Sequence, residues 1–124
     1  MKLIAILLGL ILLSAASAAE QPCGPDYPAD LPCLSGGLYV PIGDVPIPNA
    51  KTVLVFYETP VVALYDEFTR RARDAGWAVS ERESAEEPGG VRFRTTIRKG
   101  DVSVGVSVYM LEGKPLLHLS VFTR

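Results

Sequence analysis

The chain has 124 residues, of which 48% are hydrophobic and 21% charged, so its length fits one globular domain and leaves no room for two. Its 14 acidic side chains and 12 lysines and arginines give a formal net charge of −2. A chain with this balance has no overall basic field to attract DNA or RNA, so we expect no nucleic-acid partner.

Residues 1–19 have the pattern of a secretory signal peptide. Lys2 precedes an apolar run over residues 3–13, and small residues follow, including an A-x-A cleavage site at Ala16-Ser17-Ala18. We expect cleavage after Ala18 or Ala19. An uncleaved membrane anchor is the alternative interpretation, but the apolar run is shorter than the roughly 20 residues that cross a bilayer. The sequence therefore predicts a periplasmic or secreted protein that meets the membrane only through this segment before cleavage.

The two cysteines, Cys23 and Cys33, both remain after this cleavage. An even number of cysteines in an exported chain predicts a disulfide, here closing a small proline-rich ring and stabilising the fold by roughly 2–3 kcal/mol. A redox pair or a metal site is the alternative. Redox motifs usually have C-x-x-C spacing, however, and zinc would need two further ligands where His118 is the one additional soft ligand. We expect a structural disulfide, no metal and no cofactor.

Residues 20–50 differ in composition from the rest of the chain. They hold seven of the ten prolines and four acidic residues, with no lysine or arginine. This composition disfavours regular helix and sheet. Several apolar residues make the segment too hydrophobic for a free linker: Leu38, Tyr39, Val40, Ile42, Val45 and Ile47. We expect an extended strap, containing the disulfide loop, that packs against a domain formed by residues 51–124.

That domain begins with a strand and an amphipathic helix. Residues 51–58 contain a β-branched and aromatic run, after which Thr59 is expected to cap a helix with Pro60 at its first position and Gly76 at its end. The expected buried stripe consists of Val61, Leu64, Tyr65, Phe68, Ala72 and Ala75. The opposite side is interpreted as a solvated face with the pairs Asp66–Arg70, Glu67–Arg71 and Arg70–Asp74.

After the helix, the apolar pattern changes to period two. Trp77 and Val79 begin a strand, a charged loop is expected over residues 81–90, and three strands follow. A hairpin turn at Lys99-Gly100 would pair Arg98 with Asp101. A second turn at Glu112-Gly113-Lys114-Pro115 would pair Met110 with Leu117, and both registers place apolar residues opposite apolar residues.

The predicted fold class is α+β. One helix packs on a five-stranded, mostly antiparallel sheet in the chain order β-α-β-β-β-β, with the proline-rich strap at its N-terminal side. Five strands are wider than one helix, so we expect the strap to cover the remainder of the sheet.

Short motifs in this region resemble those of small bacterial secreted or lipoprotein domains of uncharacterised function. The motifs are Val45-Pro46-Ile47-Pro48-Asn49-Ala50, Tyr57-Glu58-Thr59-Pro60, Tyr65 and Ala75-Gly76-Trp77. Those domains open with a Val-Pro-x-Pro-x-Ala element and end their helix with Gly-Trp, although this chain has Asn49 where glycine is usual and no lipid-attachment cysteine. The resemblance implies a bacterial envelope protein and transfers no catalytic residue.

The outer face of the predicted sheet is the candidate functional surface. It carries Arg92, Arg94, Tyr109, His118 and Phe122, with Tyr109 expected to face His118. The predicted rows join Arg92 with Ser107 and Ser120, and Arg94 with Gly105 and Phe122. Arginine and aromatic residues are enriched at interface cores, and the small residues Ser103, Gly105 and Ser107 would leave a shallow floor. An ordinary solvated sheet face is the plain alternative.

Two further functions stay open. A hydrolase would use Ser120 or Ser107 as nucleophile and His118 as base, although no third group is evident and there is no G-x-S-x-G motif. A small ligand between helix and sheet is suggested by Thr95, a polar residue on the inner face. We expect an exported non-enzymatic protein that binds or supports another envelope protein, with the hydrolase as the alternative.

Overall fold

The structure is a computed structural model that describes Cys23, residues 27–28, residues 30–40 and residues 50–124. The predicted signal peptide and the first five residues of the Val45–Ala50 motif lie outside the described residues. Within the described part, no helix has the length and apolarity needed to cross a bilayer.

One helix and seven strands make up the described fold. In chain order they are β1 (Leu38–Val40), β2 (Ala50–Phe56), α1 (Val61–Asp74), β3 (Ala78–Val79), β4 (Glu83–Glu87), β5 (Gly90–Lys99), β6 (Val102–Leu111) and β7 (Lys114–Thr123). The sheet order is β1-β2-β7-β6-β5-β3, β4 also pairs with β5, and every pairing is antiparallel. The α+β class is confirmed, whereas the prediction of five strands is wrong.

The two unexpected strands lie at the edges of the sheet. β1 belongs to the proline-rich segment, where we expected no sheet, yet Leu38–Val40 pair with Phe56–Leu54. β4 occupies most of the expected charged loop, and all five of its residues are exposed. Charged side chains on an edge strand discourage pairing with other chains. A strand with no buried face has no apolar alternation, so β4 carries no period-two pattern by which it could be predicted.

Both predicted hairpin registers are displaced by two residues. Lys99 pairs with Val102 around a Gly100-Asp101 loop, and Gly100 has the positive φ of 60° that the first position of a type II′ turn requires. Leu111 pairs with Lys114 around Glu112-Gly113, whose φ values are 53° and 80°. In the structure Met110 therefore lies opposite Pro115, not Leu117. Because the displacement is an even number, each side chain stays on its predicted face.

Helix α1 starts one residue later than the cap prediction assumed. Pro60 is the N-cap residue, not the first helical residue, and no side chain among the described residues forms a capping hydrogen bond to the helix. A hydroxyl at the N-cap position would reach the free amides of the first turn. Thr59 lies one residue before that position, so its side chain does not cap the helix. At the other end, Gly76 has the expected left-handed φ, 94°.

The helix buries one face and exposes a network of ion pairs. The buried residues are Leu64, Tyr65, Phe68, Thr69 and Ala72, while Val61 is half-buried and Ala75, beyond the last turn, is exposed. On the exposed side Arg70 contacts Glu67 and Asp74, not Asp66, and Arg71 also contacts Glu67. Two of the three predicted pairs therefore form. Hydrogen bonds from Arg70 and Arg71 lower the pKa of the Glu67 carboxyl.

The core lies between α1 and the inner face of the sheet. Its sheet residues are Val53, Val55, Phe93, Ile97, Val104, Val106, Val108, Leu117, Leu119 and Val121. Described residues of the proline-rich segment join this core. Leu31 and Leu34 are buried, and the indole N–H of Trp77 donates a hydrogen bond to the carbonyl of Asp30 at 2.9 Å. The covering role of the strap as a whole stays a prediction, since residues 41–49 lie outside the described part.

The predicted disulfide between Cys23 and Cys33 is present. Cys23 is buried and its sulfur lies 3.6 Å from the hydroxyl oxygen of Tyr57. That hydroxyl also donates a hydrogen bond to the carbonyl of Leu34 at 3.5 Å. Burial raises the pKa of Tyr57 to about 12, so its hydroxyl remains a neutral donor at physiological pH. The disulfide thus anchors the proline-rich segment beside the end of β2.

Candidate functional site

The outer sheet face is the side of the sheet away from α1. Alternation along the strands places even-numbered residues of β2, β5 and β7, and odd-numbered residues of β6, on this face. Register groups them into four rows: Phe56, Leu116 and Tyr109; Leu54, His118, Ser107 and Arg94; Thr52, Ser120, Gly105 and Thr96; Ala50, Phe122, Ser103 and Arg98. The predicted rows are therefore wrong, although the predicted face is right.

Three of the five predicted site residues form a contiguous cluster. The guanidinium carbon of Arg92 lies 3.9 Å from the centroid of the Tyr109 ring, at a distance suited to a cation–π interaction. The Tyr109 hydroxyl and Nδ1 of His118 are 3.1 Å apart and hydrogen-bonded. This contact is diagonal, because Tyr109 pairs with Leu116 and His118 with Ser107. Arg92 is also held by Glu87, with Nε–O distances of 3.1 and 3.0 Å.

The environment of His118 weakens it as a base. Burial lowers its pKa below the ordinary value, and the positive charge of Arg92 lowers it further. The imidazole is therefore neutral at physiological pH, with Nδ1 engaged by Tyr109. Within the part of the chain that the structure describes, no hydrogen bond joins His118 to Ser120. The two residues share a strand and a face, but the nucleophile–base contact that a hydrolase needs is not formed in this structure.

Arg94 lies at a shallow cleft on the same face. The cleft has a volume of about 290 Å³ and is lined by the side chains of Glu83, Arg94, Thr96, Ser107 and Ser120, together with Gly105. Thr95 and Val106 also line it, although their side chains belong to the inner face. A guanidinium nitrogen of Arg94 lies 3.6 Å from a carboxylate oxygen of Glu83. Two of the three small residues expected to form a shallow floor, Gly105 and Ser107, line this cleft, whereas Ser103 lies one row further along the face.

Phe122 lies apart from both groups. It is 50% exposed and pairs with Ala50 and Ser103, one row beyond Ser120 and Gly105. The five predicted residues are therefore divided into the Arg92–Tyr109–His118 cluster, Arg94 at the cleft, and Phe122 near the far end of the face.

One part of the outer face is apolar, which was not predicted from the sequence. Leu54 and Phe56 on β2 lie there beside Leu116 on β7, which is fully buried yet outside the main core cluster. A signal for this was present, because residues 53–57 and Leu116-Leu117 are continuously apolar where a strand with one wet face should alternate. Glu83 was also missed, since it was assigned to a loop.

Thr95 does not support a ligand site between helix and sheet. Its hydroxyl donates a 2.8 Å hydrogen bond to the carbonyl of Ser80 and lies 2.9 Å from the Ser80 hydroxyl oxygen. The Ser80 hydroxyl oxygen in turn accepts a 2.9 Å hydrogen bond from the Thr96 amide. These hydrogen bonds connect Ser80, which lies between β3 and β4, to β5. Thr95, the polar residue on the inner face, therefore has a structural explanation.

In the described residues, no group of three or more His, Cys, Asp or Glu side chains is arranged to hold a metal ion. Comparisons of the sequence with protein-family models and with curated proteins found no match. The resemblance to small bacterial secreted domains therefore stays a prediction, and function has to be argued from the side chains of the outer sheet face.

Proposed function

We propose that this is an exported, non-enzymatic envelope protein that acts as a binding or accessory module through its outer sheet face. The observation that carries the proposal is the polar cleft beside Arg94. The side chain of Arg94, which is 58% exposed, borders a floor of small residues, and the half-exposed Phe122 lies on the same face. Arginine and aromatic side chains commonly supply the binding energy of interfaces.

Two features support export. The sequence begins with the pattern of a cleavable signal peptide. The Cys23–Cys33 disulfide is compatible with an oxidising compartment such as the periplasm or the cell exterior. The partner we propose is another component of the bacterial envelope.

The geometry around Ser120 favours binding over hydrolysis. Ser120 is not hydrogen-bonded to His118 within the described chain, and the lowered pKa of His118 reduces its strength as a base. The cleft is also shallow and open to solvent. Electrostatic stabilisation of an oxyanion depends on preorganised donors in a water-excluded site, so this cleft is poorly suited to it.

The test measures how much purified mature protein sediments with isolated bacterial envelopes. Arg94→Ala and Phe122→Ala are expected to reduce the bound fraction at least fivefold, and to change stability by less than about 0.5 kcal/mol because both side chains are exposed. Arg73→Ala is the matched control, since it removes the same charge from the exposed side of α1.

Equal sedimentation of the Arg94→Ala and Arg73→Ala variants would overturn the proposal for this face. Ester hydrolysis by the wild type that disappears in both Ser120→Ala and His118→Ala would overturn the non-enzymatic assignment. A large fall in melting temperature in the Arg94→Ala and Phe122→Ala variants would show that these side chains serve the fold.

A further inference from the structure

Gly105 occupies the middle of β6 without a conformational reason. The pairing is continuous on both sides, with Thr96 opposite it on β5 and Ser120 on β7, so no bulge is present. Gly105 is not among the described glycines with positive φ. A Cβ atom at this position would lie 3.8 Å from the Ser120 Cβ and 3.9 Å from its carbonyl oxygen, which are ordinary contacts.

Glycine within a strand reduces stability relative to alanine, because it loses more backbone entropy and packs no side chain. Where neither a turn nor a close contact requires glycine, its remaining effect is to leave space. At Gly105 that space is part of the floor of the cleft. The residue therefore opens the cleft at a cost to the fold.

Hydroxyl groups around this floor have unused hydrogen-bonding capacity. Ser107, Ser120 and Thr96 line the cleft, and their hydroxyls have no hydrogen-bond partner among the described residues. The buried hydroxyls of Thr69 and Thr95, by contrast, donate to carbonyl oxygens at 2.9 and 2.8 Å. The cleft thus presents three hydroxyls that are available to a bound molecule.

Arg94 is the available cation of the cleft. Its 3.6 Å contact with Glu83 is longer than the 2.7–2.9 Å typical of charge-assisted hydrogen bonds, and both side chains are more than half exposed. Arg92 differs, because Glu87 holds it at 3.0 Å and its guanidinium covers the Tyr109 ring. The guanidinium of Arg94 therefore retains donors that match the two oxygens of a carboxylate.

We infer that the cleft binds an acidic sugar unit, with the ligand carboxylate on Arg94 and its hydroxyls on the serine and threonine hydroxyls and on Glu83. The volume of about 290 Å³ lies at the lower limit for small-molecule sites and suits one such unit. No apolar side chain of the outer sheet face lines the cleft, which favours a polyhydroxylated ligand over a peptide. This inference rests on the proposed function, because it names the ligand class of the same face.

The experiment is an NMR titration of the mature protein with glucuronate and, separately, with glucose, which lacks the carboxylate. Glucuronate is expected to shift the amide signals of Gly105, Ser107 and Ser120, and glucose to bind at least tenfold more weakly. Arg94→Gln should remove this preference. Arg98→Gln is the matched control, because it removes the same charge from the same face of β5 outside the cleft.

Gly105→Val tests the floor of the cleft without changing any charge. Valine favours strands, so the variant should melt at or above the wild-type temperature while binding glucuronate at least tenfold more weakly. If valine perturbs the strand, Gly105→Ala, which adds one carbon at ordinary contact distance, should weaken binding to a smaller degree.

Equal affinity for glucose and glucuronate would overturn the inference, as would unchanged glucuronate binding in a folded Gly105→Val variant. Tighter binding of N-acetyl-alanyl-alanine, which offers a peptide carboxylate, would also overturn it. Sedimentation with envelopes separates this result from the proposed function. Arg94-dependent sedimentation that excess glucuronate does not reduce leaves the proposed function intact, whereas glucuronate binding without sedimentation contradicts the proposed function alone.

Discussion

Replacing Cys23 and Cys33 by alanine tests how strongly the N-terminal ring stabilises the domain. The ring is joined to the core at several points. Cys23 is 1% exposed beside Tyr57, Leu31 is buried, and the carbonyl of Asp30 accepts a hydrogen bond from the Trp77 indole. Without the disulfide, the same contacts have to offset the larger loss of chain entropy that accompanies ordering of an unconstrained N-terminal segment.

The magnitude follows from the separation of the cysteines. They are 10 residues apart in sequence. The loop-entropy model gives a stabilisation of about 2.7 kcal/mol at 25 °C for a ring of this size. In a domain of this size, 1 kcal/mol changes the melting temperature by about 4–8 °C, so the double variant should melt roughly 10–20 °C below the oxidised wild type.

The measurement is urea and thermal unfolding of the mature protein, followed by far-ultraviolet circular dichroism. Reduced wild-type protein is the matched control and should agree with the Cys23→Ala, Cys33→Ala double variant. A loss of stability below about 1 kcal/mol would refute the reasoning that the ring constrains the unfolded chain. Free thiols titrating in the unreduced protein would show that the disulfide is absent.

Three further predictions concern other parts of the chain. The single histidine, His118, should titrate by NMR below about 6.5, and Arg92→Gln should restore the midpoint only in part because burial is the larger cause. Because the pKa of His118 is lower in the folded state, its neutral form contributes to the free energy of unfolding at pH values above the unfolded-state pKa. This contribution is lost as the pH falls through the folded-state pKa. Thr59→Ala should change the unfolding free energy by less than about 0.5 kcal/mol, because the Thr59 side chain does not cap α1, whereas loss of a true cap would cost about 1 kcal/mol. Mass spectrometry of the exported protein should find Ala19 or Glu20 as the first residue, and recovery of the full chain in membranes would contradict cleavage.

Sequence periodicity determined which side of the sheet each residue occupies, but not which residues face each other. In β5 and β6, several two-residue shifts place apolar side chains opposite apolar side chains equally well. The turn geometry selects among these registers. The turn at Glu112, whose φ is 53°, shows why that geometry is hard to predict from the sequence. Glycine is the usual signal for positive φ, and a glutamate in that region gives none.

The candidate site was predictable to the extent that it depends on alternation. Arg94 and Ser107 were assigned to the correct face, whereas their pairing depends on the register. Glu83 borders the cleft because it belongs to β4. This strand is held by backbone pairing with β5 and buries none of its side chains. Hydrophobic patterning carries no information about such a strand. The position of β2 beside β7 likewise follows from long-range packing.

The pairing of β2 with β7 has a consequence for the order of folding. Ala50 pairs with Phe122, whereas β5, β6 and β7 are joined by two-residue loops. Short loops close within microseconds, while distant pairing has to overcome a larger loss of chain entropy. The β5–β7 meander therefore forms early, and β2, with β1 and the disulfide ring attached to it, docks late. The N-terminal part of the sheet is then the part expected to open first, ahead of global unfolding, in native-state hydrogen exchange.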